Sequence, residues 1–121
     1  MKLLFDTNFL LDLFRFRIDL TEIYDLLPGP IELYVLNKTI NELGILSKKA
    51  KHGKFAKLAL SLIKSSKVDV IDVTDDVDTA MVKLAGKDFV AATNDAKLRK
   101  KLSERGVKTI YLRARKHLAI G

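Results

Sequence analysis

The sequence predicts an α/β protein, a parallel sheet with helices on both faces. Short apolar runs rich in β-forming residues alternate along the whole chain with segments of helical periodicity. Glycines stand where two of those helical segments should stop, at Gly86 and Gly106. Strands that alternate one by one with helices have room to pair in parallel, because each helix carries the chain back across the sheet.

Residues 2–5 form the first strand, a short apolar run that suits a buried position. A nearly all-apolar helix follows over residues 8–16 and a second over 21–27, stopped by the Pro28-Gly29-Pro30 turn. Residues 33–36, Leu-Tyr-Val-Leu, are the second strand. Asn37 and Thr39 offer N-caps for a helix that runs to about Ser47. The clearest period comes next: Phe55, Leu58, Ala59, Leu62 and Ile63 recur at i, i+3, i+4, i+7 and i+8, with Lys54, Lys57 and Lys64 on the other side. Residues 68–73 alternate apolar and acidic as a third strand. A helix over residues 77–85, a fourth strand over 89–92, a helix over 96–105 and a fifth strand over 109–112 complete the order. The last nine residues, 113–121, read as a basic tail or a final docked turn. Tyr24, Tyr34 and Tyr111 fall within helix or strand patterns and read as packing residues.

The composition narrows the chemistry. The chain has 121 residues, 48% hydrophobic and 31% charged, which suits one folded domain. It has no cysteine, so thiol catalysis, disulfides and thiolate metal sites are excluded. Two histidines far apart, His52 and His117, do not make a zinc site; His52 reads as a solvent-facing or capping residue. The opening MKLLFDTNFLLDLF resembles a signal peptide, but Asp6 and Asp12 break its apolar run and no small-residue cleavage site follows. No run is long enough to span a membrane. A cytoplasmic protein is the expectation. There is no glycine-rich phosphate loop of either common type.

The net charge is +7, with 22 Lys plus Arg against 15 Asp plus Glu. Residues 48–67 hold seven lysines and no acid, and residues 97–116 hold nine basic residues and one acid. Acids gather elsewhere, at Asp69, Asp72, Asp75, Asp76 and Asp78. Two basic segments beside a separate acidic group suit a polyanion lying across the surface, and nucleic acid is the natural one. Lys48, Lys49, Lys51, Lys54 and Lys57, with Lys97, Arg99, Lys100 and Lys101, are the candidate RNA contacts.

Four acids are placed for chemistry at the carboxyl edge of the sheet, where doubly wound proteins bind ligands. Asp6 follows the first strand and Asp95 the fourth; Glu42 and Asp78 stand in the first turns of the helices after the second and third. Taken singly, each has a structural reading. Asp6 and Asp95 suit helix caps, Glu42 closes a capping box with Thr39, and Asp78 suits a helix dipole. Together they repel one another, and no Lys or Arg lies beside Asp6 or Asp95 in its loop. A hard divalent cation, Mg²⁺ or Mn²⁺, would relieve that repulsion, with Asn8, Thr93 and Asn94 as supporting oxygen donors. Metal held by acids beside a basic surface points to phosphodiester hydrolysis.

The segments LLFDTNFLL, NELGIL and VAATNDAKLRKKLSERGVKTIYLR resemble PIN-domain proteins, most closely the small archaeal type and the ribosomal-RNA-processing branch. The likeness spans nearly the whole chain and implies a single three-layer PIN-like domain over residues 1–121. It implies a central parallel five-strand sheet of order 3-2-1-4-5 and a Mg²⁺- or Mn²⁺-dependent endoribonuclease site. Asp6, Glu42 and Asp95 match the family's acids, and Thr7 and Thr93 match the polar residues beside them. Members of that branch often carry two adjacent acids where this chain has Asp78-Thr79, so Asp78 or Asp76 takes the third acid's place. The resemblance also implies RNA as partner, a homodimer, and either an antitoxin or a ribosome-processing protein as companion. A haloacid-dehalogenase-type phosphatase is excluded, since it needs a second acid where Asn8 stands. A catalytically degenerate RNA-binding or scaffold module is the alternative, favoured by Thr79.

Overall fold

In the computed structural model, which describes residues 1–51, 53–86 and 88–121, six strands form one sheet in the order β3-β2-β1-β4-β5-β6. In chain order the elements are β1 (Lys2–Phe5), α1 (Thr7–Arg15), α2 (Glu22–Leu26), β2 (Glu32–Leu36), α3 (Asn37–Leu46) and α4 (Gly53–Ser65). Then come β3 (Asp69–Ile71), α5 (Val77–Leu84), β4 (Phe89–Ala92), α6 (Ala96–Glu104), β5 (Thr109–Arg113) and β6 (His117–Ile120). His52, read as a solvent-facing or capping residue, lies outside the described residues.

The first five strands pair in parallel in the expected order. Their side chains sort by the two-residue period of a strand. Leu3 and Phe5 of β1, Leu33 and Val35 of β2, and Ala92 of β4 point to one face, where they pack with Phe9, Leu10, Leu43, Ala56, Ala59 and Ile63 of α1, α3 and α4. Leu4, Leu36 and Ala91 point to the other, against Ala80 and Met81 of α5 and Leu98 and Leu102 of α6. Three layers result. The connection from β3 crosses the sheet to β4, on the far side of β1, so strand order reverses between β1 and β4.

Gly106 closes α6 at φ 75°, its N–H bonding to Ser103 O while Val107 N–H bonds to Leu102 O. That pair of bonds is the Schellman arrangement, which a glycine in the left-handed region makes cheap. Gly86, expected to cap α5, does not: Ala85 before it is already extended, and Gly86, at φ 89°, gives its N–H to Phe89 O at 2.9 Å and turns the chain into β4.

The last residues are not a tail. β6 pairs antiparallel with β5, His117 opposite Arg113 and Ile120 opposite Ile110, and Leu118 is buried in the core on the α1–α4 side. The turn between them carries Ala114 and Arg115 at φ 53° and 56°, a mirror-image hairpin turn that ordinarily wants Asn or Gly. With Ala-Arg there, the sequence lacks the usual hairpin signal.

Three further expectations change. Helix α3 starts at Asn37 with Leu36 as its N-cap, so neither Asn37 nor Thr39 caps it and Glu42 sits in its second turn, outside any capping box. In α4 the buried stripe is Gly53, Ala56, Ala59 and Ile63, and Leu58 faces solvent. Small residues let α4 lie close against its neighbours, and that selects the stripe over the larger Leu58. Tyr24 is likewise exposed rather than packed. No helix among the described residues is long and apolar enough to cross a membrane.

Candidate active site

Asp6 is the centre of the carboxyl edge. It follows β1 at the switch point, where its N–H extends the ladder to Ala92 O at 2.8 Å, and it is only 4% exposed. Its Oδ1 accepts the Thr7 N–H at 2.8 Å as the N-cap of α1, and its Oδ2 accepts the Thr93 hydroxyl at 2.7 Å. Burial dominates all the same and pushes the carboxyl up to about 6, with the charges of Asp78 and Asp95 adding to the rise.

Asp95 and Asp78 lie near enough for their charges to act on it, and Glu42 approaches through Thr7. Asp95 N-caps α6, its Oδ1 accepting from Lys97 N–H at 2.9 Å and Leu98 N–H at 3.4 Å. Its own N–H donates to Thr93 Oγ1 at 3.2 Å, so one hydroxyl joins the loops of Asp6 and Asp95. Glu42 reaches in from α3 to accept from Thr7 Oγ1 at 3.4 Å, and that threonine also touches the buried Thr39 at 3.2 Å. Partial desolvation and the Asp78 charge raise Glu42 above its ordinary value, the Thr7 bond working the other way. Asp78 is raised by desolvation and by Asp95 and Asp76, against a lowering from Lys101.

The two structural readings of Asp6 and Asp95 are therefore met alongside their clustering: both cap helices and both share one electrostatic site. The rest of the acidic segment disperses. Asp76 caps α5 through Thr79 N–H at 3.1 Å, so Thr79 serves that cap; Asp75 pairs with Lys83 at 2.9 Å; Asp69 and Asp72 are exposed. Asn94, expected beside the acids, turns both ends of its amide elsewhere: Nδ2 donates to Asp12 Oδ2 at 2.9 Å and Oδ1 accepts from Leu112 N–H at 2.7 Å. Asn8 is exposed in the first turn of α1.

Every donor aimed at this edge is a carboxylate or hydroxyl oxygen, and among the described residues no ion pair engages Asp6, Glu42, Asp78 or Asp95. That set fits a hard divalent cation in chemistry. As placed, no three acidic or histidine side chains among the described residues close around a point that would hold one.

The basic candidates fall into two groups. Lys48, Lys49, Lys54 and Lys57 line an open cleft of about 850 Å³ between the end of α3 and the start of α4, and Lys51 is exposed in the turn beside it. Lys97, Lys100 and Lys101 are exposed on α6, and Lys101 is near enough to lower Asp76 and Asp78. Arg99 differs: its guanidinium lies 3.4 Å over the Tyr111 ring, and its buried Nε has no hydrogen-bond partner among the described residues.

Two locks that hold this edge carry no signature in the sequence. Asn37 bonds both ways with Val73, its Nδ2 donating to the carbonyl at 3.2 Å and its Oδ1 accepting the N–H at 3.0 Å, which fixes the loop that leads to Asp78. The Asp12–Asn94–Leu112 chain ties α1 to the loop of Asp95. Only the polar side chains themselves could have hinted at either.

Comparison with known proteins agrees with this architecture. The family model described as a PIN like domain matches residues 3–115. Ribonuclease VapC4 of Methanocaldococcus jannaschii is 32% identical over 127 residues, which cover 98% of this chain and 95% of that protein. Among solved structures, the PIN domain endonuclease Utp24 superposes with a TM-score of 0.79 at 21% identity, covering 98% of this chain and 90% of that one. At that identity the likeness is one of fold. Sheet order, three layers and family match agree, and the chain belongs to the PIN-like domain family.

Proposed function

We propose that this chain is an endoribonuclease that hydrolyses RNA phosphodiester bonds with Mg²⁺ or Mn²⁺. The observation that carries the reading is Asp6: a buried carboxylate with no cationic partner among the described residues, in the field of two further acids. Its two hydrogen bonds offset only part of its desolvation, so an ionised carboxylate there costs stability that a neutral helix cap would not. The match to a protein named a ribonuclease supports RNA as the substrate.

Asp6, Asp95, Glu42 and Asp78 would hold the ion, directly or through water. When bound, it supplies Lewis acidity, making a water more acidic and offsetting charge on the phosphate oxygens. Thr93 holds the carboxylates of Asp6 and the loop of Asp95 in register, and Thr7 does the same for Glu42. Glu42, raised and half in solvent, is the side chain suited to take a proton from an attacking water. The lysines of the α3–α4 cleft and of α6 hold the flanking backbone without regard to sequence.

The same site reads second as an RNA-binding module that does not cleave, favoured by Thr79 serving as a cap partner where the related branch often has an acid. Cleavage of single-stranded RNA with Mn²⁺, compared between wild type and Asp6→Asn, decides between them: loss of activity in the variant supports the enzyme, and equal residual activity rejects it. Either ribosomal-RNA maturation or a toxin restrained by an antitoxin would use this chemistry, alone or as a homodimer in the cytoplasm. Co-purification of a small partner that abolishes cleavage would select the toxin.

A further inference from the structure

Arg113, Arg115 and Lys116 crowd the turn that joins β5 to β6, and all three are exposed. We propose that this hairpin is a phosphate clamp that grips single-stranded RNA on one side of the cut. The proposal rests on the ribonuclease reading and adds to it a holding element apart from the α3–α4 cleft and α6.

Topology brings the turn to the acids. β5 runs parallel to β4, so Arg113 ends it on the edge that carries Asp6 and Asp95. β6 returns antiparallel, which leaves residues 114–116 projecting beyond that edge. The hairpin is also tied to the acidic loop. Leu112 N–H donates to Asn94 Oδ1 at 2.7 Å, so the residue before Arg113 is bonded to the residue before Asp95. Lys116 N–H closes the turn on Arg113 O at 3.1 Å. The cations therefore stand on a frame ordered before any ligand arrives, which loses little entropy on binding.

The charges suit phosphates. Residues 113–121 contain no acid, and among the described residues no ion pair engages Arg113, Arg115 or Lys116. Arg115 lies 5.4 Å over the Phe16 ring, a contact that orients its guanidinium without a hydrogen bond. Glu22, the carboxylate beside β6, already accepts Leu118 N–H at 3.1 Å and stands 3.6 Å from His117 Nδ1. Asp12, behind Asn94, accepts from that amide and from Arg15. The backbone points the same way. Ala114 and Arg115 hold left-handed conformations, φ 53° and 56°, which Asn and Gly adopt at less cost. The turn thus keeps an arginine where folding alone favours another residue.

The test measures Kd of the full chain for a fluorescein-labelled single-stranded RNA across a salt series, in chelator to stop cleavage, and follows cleavage separately in Mn²⁺. Arg113→Ala, Arg115→Asn, Lys116→Ala and their triple combination are compared with Lys108→Ala, a loss of one charge at the amino end of β5. Each hairpin substitution should lower the log–log salt slope by about 0.7 and weaken binding about five-fold at about 0.1 M salt. The triple variant should lower the slope by about 2, and Lys108→Ala should leave it unchanged. Arg115→Asn should hold or raise the urea midpoint, because Asn tolerates the left-handed region, so its loss of affinity is separate from any loss of fold. Shortening the RNA on one side of the cut should make the triple variant and wild type equal. A difference that survives shortening on either side is a general charge effect and overturns the clamp. An unchanged slope in the triple variant, with a wild type that cuts RNA, overturns the clamp and leaves the nuclease standing. If the wild type binds RNA without cutting it, the nuclease reading falls, and the drop in slope still upholds the clamp. A wild type that neither binds nor cuts RNA overturns both.

Discussion

Thr93 donates its hydroxyl to Asp6 Oδ2 at 2.7 Å, across the strand boundary where sheet order reverses. Thr93 Oγ1 in turn accepts the Asp95 N–H at 3.2 Å, so a single atom sets two acids relative to each other. Thr93→Val keeps the shape and removes the donor. It should destabilise the protein by about 1–3 kcal/mol, because a buried carboxylate oxygen loses its partner. Cleavage should fall about 10–100-fold, as for other residues that orient metal-binding side chains. Thr93→Ser should restore most of both. Urea unfolding and an RNA cleavage assay check the pair of effects, and a fully active Thr93→Val would show that the bridge does not position the acids.

The raised carboxyl of Asp6 makes stability depend on pH in an unusual direction. Folded, it holds its proton up to about pH 6; unfolded, only to its ordinary value near 4. Between those values the native state binds more protons, so metal-free protein should lose stability as pH rises from about 4 to about 6 and hold level above. The full contribution is about 3 kcal/mol at most. Asp6→Asn removes it while keeping a good helix cap, so the variant should be the more stable protein at pH 7 and inactive. Other carboxylates, such as Asp76, shift the opposite way, and the difference between wild type and variant isolates Asp6. A difference that stays constant from pH 4 to 7, in chelator, contradicts this.

Much of this site was legible because strand ends and helix starts are local signals. Asp6 and Asp95 follow apolar strands directly, and that adjacency alone places them on one edge once the sheet is parallel. A place in the first turn of the helix after β2 predicts Glu42 at the edge, yet it reaches the edge from the second turn, because α3 begins two residues before Thr39, and there it meets Thr7. The Asn37–Val73 and Asp12–Asn94 locks join residues 36 and 82 positions apart, and no periodicity encodes such pairs. Arg99 shows the limit of reading charge. It counts as one more basic residue in the sequence, and only the register of α6 over β5 lays it on Tyr111.

The two basic groups should differ in how they bind RNA. Replacing Lys48, Lys49, Lys54 and Lys57 together by Ala removes up to four phosphate contacts from the α3–α4 cleft. For single strands each lost contact lowers the log–log salt slope by about 0.7, so the slope should fall by up to about 3. Arg99→Ala should behave differently, lowering stability by about 0.5–2 kcal/mol through the lost ring stack and leaving the salt slope nearly unchanged. Fluorescence anisotropy across a salt series measures both. A slope that drops as much for Arg99→Ala as for a cleft lysine would mean that Arg99 leaves Tyr111 to meet RNA.

The C-terminal strand makes the sharpest distinction between the fold as read from sequence and as found. Leu118 is 6% exposed within the core, and its N–H donates to Glu22 Oε1 at 3.1 Å, while His117 Nδ1 stands 3.6 Å from the same oxygen. Glu22 thus occupies an outward N–H on an edge strand, the group through which another strand would pair. Leu118→Ala should cost about 2–4 kcal/mol, whereas a substitution in a loose tail would stay within about 0.5 kcal/mol. Glu22→Ala should cost about 1 kcal/mol and speed amide exchange at Leu118, and Glu22→Gln, which keeps an acceptor oxygen, should restore protection. Because β6 covers the outer side of β5, which in turn fixes Asn94 through Leu112 N–H, Leu118→Ala should also loosen the loop of Asp95. Faster amide exchange at Asp95 in that variant is the expected sign, and exchange confined to β6 would show that the strand only seals an edge.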